Sequence, residues 1–341
     1  MRKSFSARAS LPLLFLLVAA CEAQTDDPGT GGPGAPAPSQ PAPGQAPPVV
    51  TCPKPTSGPT QHAGDVKDGE VWTADASPHV LTANVRVRDG AKLVIEPCAE
   101  VQLAEGVYFQ VAYPGTPNTG TVIAEGTAEQ PIRFVGKEGA RWASVSIYAG
   151  GLARFAHVTF EGGGGGDFQE NATLALYGDG EDGSDEVAFV DHVTISRSLG
   201  VGARTIRGAA FVRGSRDLTV SGSGSDESPW PVVIEEHAID TLPTGSYTGN
   251  KKDEILLDPA GGQVSGSGLL ADATLHDRGV PYRVGRSKGD NLLVGGRVDG
   301  KLVTLTIEPG VVLKFLPGTR LAIQRHTSDE PASAAIHAVG T

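Results

Sequence analysis

Two aspartates beside a repeated segment are the first residues that could do chemistry. The segment occurs three times, as FAHVTF (155–160), VDHVTI (190–195) and SRDLTV (215–220). Asp191 and Asp217 belong to the second and third copies and lie beside the aligned strands, with Arg204 or Arg207 as a candidate partner. Hydrolysis of a glycosidic bond uses two carboxyl groups that flank the bond. These residues are therefore catalytic candidates, and the alternative is that they are solvated residues between turns.

Two histidines in the same segments are candidates for a metal site. His157 and His192 occupy the same place in two of the copies, so their imidazoles could stack on one face and begin such a site. No third ligand stands at a spacing that supports a metal. Stacked surface histidines are the alternative interpretation.

An acidic stretch between the first two copies is the second candidate for cation binding. The copies are 35 residues apart here and 25 residues apart at the next interval, so we interpret GDGEDGSDE (178–186) as an inserted loop. Its carboxylates are Asp179, Glu181, Asp182, Asp185 and Glu186. Carboxylate oxygens bind calcium, which is the one cofactor suggested by the sequence. The spacing is not that of an established calcium loop, so a solvated acidic loop is the alternative.

The elements that position these residues are short β-strands. The stretch from Leu93 to Phe134 consists of pieces with β-branched or aromatic residues at alternate positions, separated by Gly, Pro, Asn or acids. Its pattern returns 212 to 214 residues later in LTIEPGVVLKF (305–315), TRLAI (319–323) and AAIHAVGT (334–341). A unit reused within one chain is typical of stacked repeat architectures.

The spacing of the strands predicts stacked coils of about 25 residues. One series of alternating pairs is Val85/Val87, Phe109/Val111, Ile132/Phe134 and Val158/Phe160. A second series is Leu93/Ile95, Ile123, Val145/Ile147 and Leu174/Leu176. Two interleaved series require several strands per repeat, which favours an all-β chain folded as a right-handed parallel β-helix. Alternate side chains would then fill the interior.

These pieces resemble the pectin-lyase-like β-helix proteins, and particularly the Gly-rich β-helix lipoproteins of bacteria in which Leu-x-Ile-Glu-Pro-Gly opens a series of coils. The resemblance covers residues 66–341 loosely and implies the fold rather than an activity. The Asn-Thr-Asp, Asp-Asp, Gly-His-Gly and Arg-Ile-Lys motifs of polygalacturonases do not occur in the coil region. In the two Ile-Glu-Pro units, we expect Ile95 and Ile307 in the interior, and Glu96 and Glu308 at a turn rather than as catalytic acids.

The amino terminus resembles a bacterial lipoprotein signal peptide. Basic residues precede an apolar run from Leu11 to Ala20, and Val-Ala-Ala-Cys closes it at Cys21. The resemblance implies cleavage before Cys21, lipidation of its thiol and anchoring in a membrane. Glu22, where an Asp would favour the inner membrane, indicates the outer membrane, either periplasmic or surface-exposed. The alternative is an ordinary secretory signal followed by an incidental cysteine.

Composition divides the rest of the chain. We expect residues 21–51 to be the lipidated cysteine and a disordered tether, because 28–48 holds eight Pro and five Gly. Residues 52–84 would lead into the coils, 85–275 would form them, and 276–341 would be a second β-helix unit. The second unit stops where the first copy continues into another strand, so we expect a truncated chain.

Cys52 and Cys98 remain once Cys21 is lipidated, and in an exported protein an even pair predicts a disulfide. Gly310 stands at the position of Cys98 in the second Ile-Glu-Pro unit, so the turn itself does not require a thiol. Two unpaired thiols are the alternative.

Charge and the missing motifs limit the functions that remain. The net charge of −11 argues against nucleic acid or an anionic membrane surface as a partner. No Ser-His-Asp or Cys-His set can be placed. The leading hypothesis is therefore a lipid-anchored envelope protein whose β-helix binds glycans or surface partners without catalysis. A polysaccharide lyase or glycoside hydrolase on the same fold is one alternative, and a purely structural envelope protein is another.

Overall fold

The computed structural model describes residues 49–115, 118–166, 171–180, 185–259, 268–295, 302–323 and 333–340. The predicted signal peptide, Cys21, the tether of 28–48 and part of the acidic loop, with Glu181 and Asp182, lie outside the described residues. Residues Pro48–Thr341 belong to one compact unit.

The described residues form 26 β-strands, two short 3₁₀ turns and no α-helix. The strands are β1 (Thr60–Asp65), β2 (Glu70–Trp72), β3 (His79–Val87), β4 (Lys92–Ile95), β5 (Glu100–Leu103), β6 (Tyr108–Val111), β7 (Gly120–Glu125), β8 (Ile132–Gly136), β9 (Ser144–Tyr148), β10 (Gly151–Ala156), β11 (Val158–Glu161), β12 (Ala172–Tyr177), β13 (Asp185–Ser196), β14 (Val201–Ile206), β15 (Ala209–Phe211), β16 (Arg216–Ser221), β17 (Val232–Ile234), β18 (Gly245–Ser246), β19 (Ile255–Leu257), β20 (Ala273–Leu275), β21 (Tyr282–Val284), β22 (Leu292–Val294), β23 (Leu302–Ile307), β24 (Leu313–Phe315), β25 (Leu321–Ile323) and β26 (Ser333–Ala338).

All strand pairings among the described residues are parallel, and each strand pairs with the next coil along the chain. Sheet A contains the ends of β1 and β3, then β6, β9, β12, β14, β17, β19, β21 and β24. Sheet B contains β2, β4, β7, β10, the first half of β13 and β15. Sheet C contains β1, the start of β3, β5, β8, β11, the second half of β13, β16 and β18. The predicted all-β fold of stacked parallel strands, a parallel β-helix, is confirmed.

The interior is a stack of apolar side chains from alternate strand positions. In β7, for example, Val122 and Ala124 are fully buried, whereas Thr121 and Ile123 are only half-buried. Phe134 contacts Phe160 with ring centroids 4.9 Å apart, and together these residues belong to one core cluster that extends from Val66 to Leu305. Side chains that are β-branched or aromatic suit this pleated, half-buried surface.

Both predicted series of strands mix residues of different sheets. Phe109 pairs with Val145 in sheet A, and not with Ile132, which belongs to sheet C. In sheet B, Leu93 pairs with Val122 rather than with Ile123. The cause is that the coils have unequal lengths. The segment between β6 and β7 is long. An interval of about 25 residues counted from a strand of sheet A therefore ends in a strand of another sheet.

The alignment of the three HVT-like copies is confirmed. Thr159 pairs with Thr194, and Thr194 pairs with Thr219, on the outer face of sheet C. The corner before each threonine adopts a positive φ, at His157 (48°), His192 (53°) and Asp217 (53°). A single left-handed residue turns the chain from sheet B into sheet C in these coils.

The Cys52–Cys98 disulfide is present, with the two Cα atoms 5.3 Å apart. Cys98 has a φ of 69° and Gly310, its counterpart in the second unit, has a φ of 89°. The same left-handed turn therefore carries the bridging cysteine in the first unit and a glycine in the second. This is the position for which glycine is the unstrained choice.

The Ile-Glu-Pro units form the same contacts with the preceding coil. The Glu96 carboxylate accepts a hydrogen bond from the Ala74 N–H (3.2 Å), and the Glu308 carboxylate accepts one from the Asp277 N–H (3.0 Å). Both glutamates lie at a turn, as expected. Ile95 is buried, whereas Ile307 is half-buried.

The two units nevertheless take different places in the coil. The strand after Ile95, β5, joins sheet C, whereas the strand after Ile307, β24, joins sheet A. Strands β20, β23 and β26 form a further parallel sheet, and β22 pairs with β25. Strands β1 and β2 already lie within residues 52–84.

Candidate functional site

The two candidate catalytic aspartates meet at the corner between sheets B and C. The Asp191 carboxylate accepts hydrogen bonds from Nδ1 of His192 (2.6 Å) and from Nε of Arg216 (3.1 Å). Nε2 of His192 lies 3.5 Å from the Asp217 carboxylate. One ligand atom from each of Asp191, His192 and Asp217 lies within 4.8 Å of the others.

This corner cluster is built as an ion-pair network. The His192 imidazole lies between the two carboxylates and contacts both of them. Arg216 binds both oxygens of Asp191, so a cation would have to displace a bidentate guanidinium. His157 stacks on His192 with ring centroids 4.6 Å apart. The pKa of His157 is lowered, mainly by burial and to a smaller extent by the neighbouring His192. The cluster therefore suits a stable corner better than catalysis or metal binding.

Neither arginine nominated from the sequence belongs to this cluster. Arg204 lies in sheet A, 3.3 Å from the Asp258 carboxylate. Arg207 donates a hydrogen bond to the Asp179 backbone carbonyl at 2.6 Å. Arg216 takes their place because it pairs with Asp191 in the strand register. The alignment of the copies contained this information, because Arg216 in SRDLTV occupies the same position as Asp191 in VDHVTI.

Two described carboxylates of the acidic loop, those of Asp185 and Glu186, are engaged by the protein itself. Asp185 accepts a hydrogen bond from the Asp179 N–H at 2.8 Å. Glu186 accepts one from the Arg213 N–H at 3.0 Å and lies 3.3 Å from the Arg213 guanidinium. Asp185 and Glu186 begin β13 rather than lying in the loop. Calcium binding at this loop stays a prediction.

A pocket on the outer face of sheet A combines several tyrosines with polar groups. We call it the tyrosine pocket, and it has a volume of about 340 Å³. It is lined by Asn84, Arg86, Tyr108, Gln110, Tyr113, Tyr148 and Tyr177. These residues come from four successive strands of the sheet and from the turn after β6. Its size is that of a small-molecule site.

The aromatic rings of the pocket are positioned by the strand register. Tyr148 and Tyr177 pair directly across β9 and β12, and their rings stack with centroids 4.5 Å apart and 6° between the planes. Tyr113 meets Tyr148 edge to face, with centroids 5.1 Å apart. Arg86 lies over the Tyr113 ring at 5.7 Å from its centroid. The result is a rigid aromatic wall, since each ring is held by a neighbour.

The polar groups of the pocket are donors and neutral acceptors. Burial raises the pKa of Tyr148 to about 12, although hydrogen bonds with Gln110 and Ser146 lower it in part. The phenol is therefore a neutral hydroxyl at physiological pH. The Asn84 carbonyl oxygen accepts a hydrogen bond from the Tyr108 N–H at 3.0 Å, which fixes the amide. None of the described residues that line the pocket carries a carboxylate.

Sequence reasoning missed the tyrosine pocket. Its residues are spread over residues 84–177, and nothing in their spacing is a known motif. The available signal was that Tyr148 and Tyr177 immediately follow the interior residues Ile147 and Leu176 on two strands, so both must face outward. The outward rows of sheet A could not be aligned because the coil lengths differ.

The fold and the pocket define an all-β parallel β-helix protein with an aromatic pocket on one outer sheet face. No family model, curated protein or solved structure matches the chain. Among the described residues there is no helix with the length and apolar character to cross a membrane.

Proposed function

We propose that this protein is a lipid-anchored protein of the cell envelope that binds glycans, without cleaving them, in the tyrosine pocket. The observation that carries the proposal is the aromatic wall of Tyr113, Tyr148 and Tyr177 beside fixed amide groups. A sugar ring has an apolar face that stacks on aromatic rings and hydroxyls that bond to amides and phenols. The corner cluster, with His192 between its carboxylates, favours binding over hydrolysis.

Membrane attachment is the second part of the proposal. The lipobox at Cys21 and the Pro/Gly-rich stretch after it support an anchor in the outer membrane followed by a tether. Such an arrangement would present the β-helix to polysaccharide or to another surface molecule.

Replacing Tyr148 by alanine is expected to weaken glycan binding at least about tenfold, which corresponds to about 1.4 kcal/mol. The reason is that the substitution removes the ring held between Tyr113 and Tyr177. An oligosaccharide array identifies ligands of the wild-type protein, and titration calorimetry then measures the affinity of each variant. Phe189→Ala is the matched control, because Phe189 is a half-buried aromatic residue on β13 outside the pocket.

Equal losses in Tyr148→Ala and Phe189→Ala would contradict binding in the tyrosine pocket. Depolymerisation that disappears in Asp191→Ala or Asp217→Ala would favour a lyase or hydrolase instead. A wild-type protein that binds no glycan would leave the purely structural alternative.

A Cys21→Ser variant is expected to leave the membrane fraction, since the acylated thiol would be lost. Fractionation of cells without detergent, followed by immunoblotting against the β-helix, measures the change. Cys52→Ser serves as the control, because Cys52 forms the disulfide and should not affect partitioning. Continued sedimentation of Cys21→Ser with membranes would contradict lipidation.

A further inference from the structure

Among the described residues that line the tyrosine pocket, Arg86 is the only one with a cationic side chain. Its Nε is buried and has no hydrogen-bond partner in the described part of the chain. Within those same residues, no carboxylate lies within 4.0 Å of the guanidinium, whose described side-chain contact is the Tyr113 ring. Buried polar groups are normally hydrogen-bonded, but Nε of Arg88 is in the same state although Arg88 binds a carboxylate, so the feature that distinguishes Arg86 is the missing carboxylate contact.

The acid nearest in register to Arg86 is committed elsewhere. Asp65 pairs with Arg86 across β1 and β3, yet its carboxylate binds the Arg88 guanidinium at 2.7 Å. In the described part of the chain, Arg86 therefore lacks the counter-ion that Arg88 has.

A second arginine in the same row of sheet A provides an internal comparison. The outward row of Arg86 continues through Gln110, Ser146 and Ala175 to Arg204. Arg204 lies 3.3 Å from Asp258, which also binds Arg286 at 3.0 Å. At the Arg204 end of the row the carboxylate is supplied by the protein, whereas at the Arg86 end the position faces the pocket.

We propose that the tyrosine pocket selects glycans that carry an anionic group, a carboxylate or a sulfate, and that Arg86 binds this group. The inference rests on the proposed glycan-binding function and adds the class of ligand. A guanidinium presents Nε–H and Nη–H as a planar fork that matches two oxygens of a carboxylate or sulfate. The sugar ring would stack on the tyrosines. Oε1 of Gln110, which is buried without a partner among the described residues, would accept a hydrogen bond from a sugar hydroxyl.

The test compares one sugar backbone in several charge states. The probes are hexasaccharides of glucose, galactose and mannose, each as the neutral sugar, the C6-oxidised uronate and the 6-O-sulfate. Titration calorimetry with the full chain is expected to show at least tenfold tighter binding of one charged form than of its neutral counterpart. The uronate and sulfate arms identify which anion is preferred.

Arg86→Gln is expected to abolish this preference while neutral sugars still bind, and Arg86→Lys to retain part of it. Arg154→Gln is the control with the same change in net charge, because Arg154 pairs with Glu125 on sheet B at 2.8 Å, outside the pocket. Equal affinities for charged and neutral forms, or a preference that survives in Arg86→Gln, would overturn the inference and leave glycan binding intact. Failure of every probe to bind the wild-type protein would instead overturn the proposed function.

Discussion

Removing the Cys52–Cys98 disulfide is expected to lower the free energy of unfolding of the β-helix by about 4 kcal/mol. The bond closes a loop with a sequence separation of 46 residues, and the value follows from the chain entropy that such a loop releases on unfolding. Denaturant titration of the wild-type protein and of Cys52→Ser, followed by circular dichroism, measures the difference. An unchanged unfolding midpoint would contradict a stabilising role for the disulfide.

A second variant separates the loss of the bond from the effect of backbone conformation. Cys98 has a φ of 69°, which glycine adopts without a steric penalty, and Gly310 occupies the equivalent turn. Cys98→Gly loses the disulfide but relieves the left-handed residue, so it should be more stable than Cys52→Ser by roughly 0.5–1 kcal/mol. If Cys98→Gly is the less stable of the two variants, the left-handed turn is not a source of strain at this position.

Glu235 is expected to make the protein less stable as the pH rises from about 4.5 to about 7. Burial raises the pKa of Glu235 from 4.5 to about 7, and hydrogen bonds from the Gly208 and Arg207 N–H groups offset the burial only in part. Below pH 4.5 the group is protonated in both states, so it has no effect. Between the two pKa values the unfolded chain ionises while the folded chain keeps the proton. The full loss, about 3 kcal/mol, is reached above pH 7.

Glu235→Gln should flatten this part of the stability profile, because a neutral amide keeps an oxygen that can accept the 2.8 Å bond from Gly208. Denaturant titrations of both proteins at intervals between pH 4.5 and 8 measure the effect. The difference between the wild-type and Glu235→Gln profiles isolates the effect of Glu235 from that of His79. Burial lowers the pKa of His79, so His79 destabilises the fold as the pH falls below 6.5. Glu227→Gln changes an exposed carboxyl and is the control. Parallel profiles for wild type and Glu235→Gln would contradict the prediction.

The sequence was sufficient to predict the type of architecture and several local details. Alternation of apolar residues with turn residues predicted parallel coils, and the three-copy alignment placed Thr159, Thr194 and Thr219 in register. These features depend on neighbours within a strand or on short repeats. The disulfide could be predicted because Cys52 and Cys98 are the two cysteines outside the predicted lipobox.

The pocket and the full strand register could not be predicted, because both depend on the length of the turns. The connection after Val111 shifts every later residue of sheet A relative to sheet B, and no local signal gives its length. The same difficulty hid Arg86, which lacks an acidic partner in the described part of the chain because Asp65 binds Arg88. The sequence placed Asp191 and Asp217 on neighbouring coils, but it did not predict that the His192 imidazole lies between them.

The contact between each Ile-Glu-Pro glutamate and the preceding coil also bears on how such proteins can be built. The hydrogen bonds that Glu96 accepts from the Ala74 N–H and Glu308 accepts from the Asp277 N–H involve only two adjacent layers. They occur at two different positions around the coil. The motif therefore connects two adjacent coils in the same way at either position around the coil. An engineer extending or shortening this solenoid could graft it at any layer, provided that the layer beneath offers a free backbone N–H two residues beyond its strand.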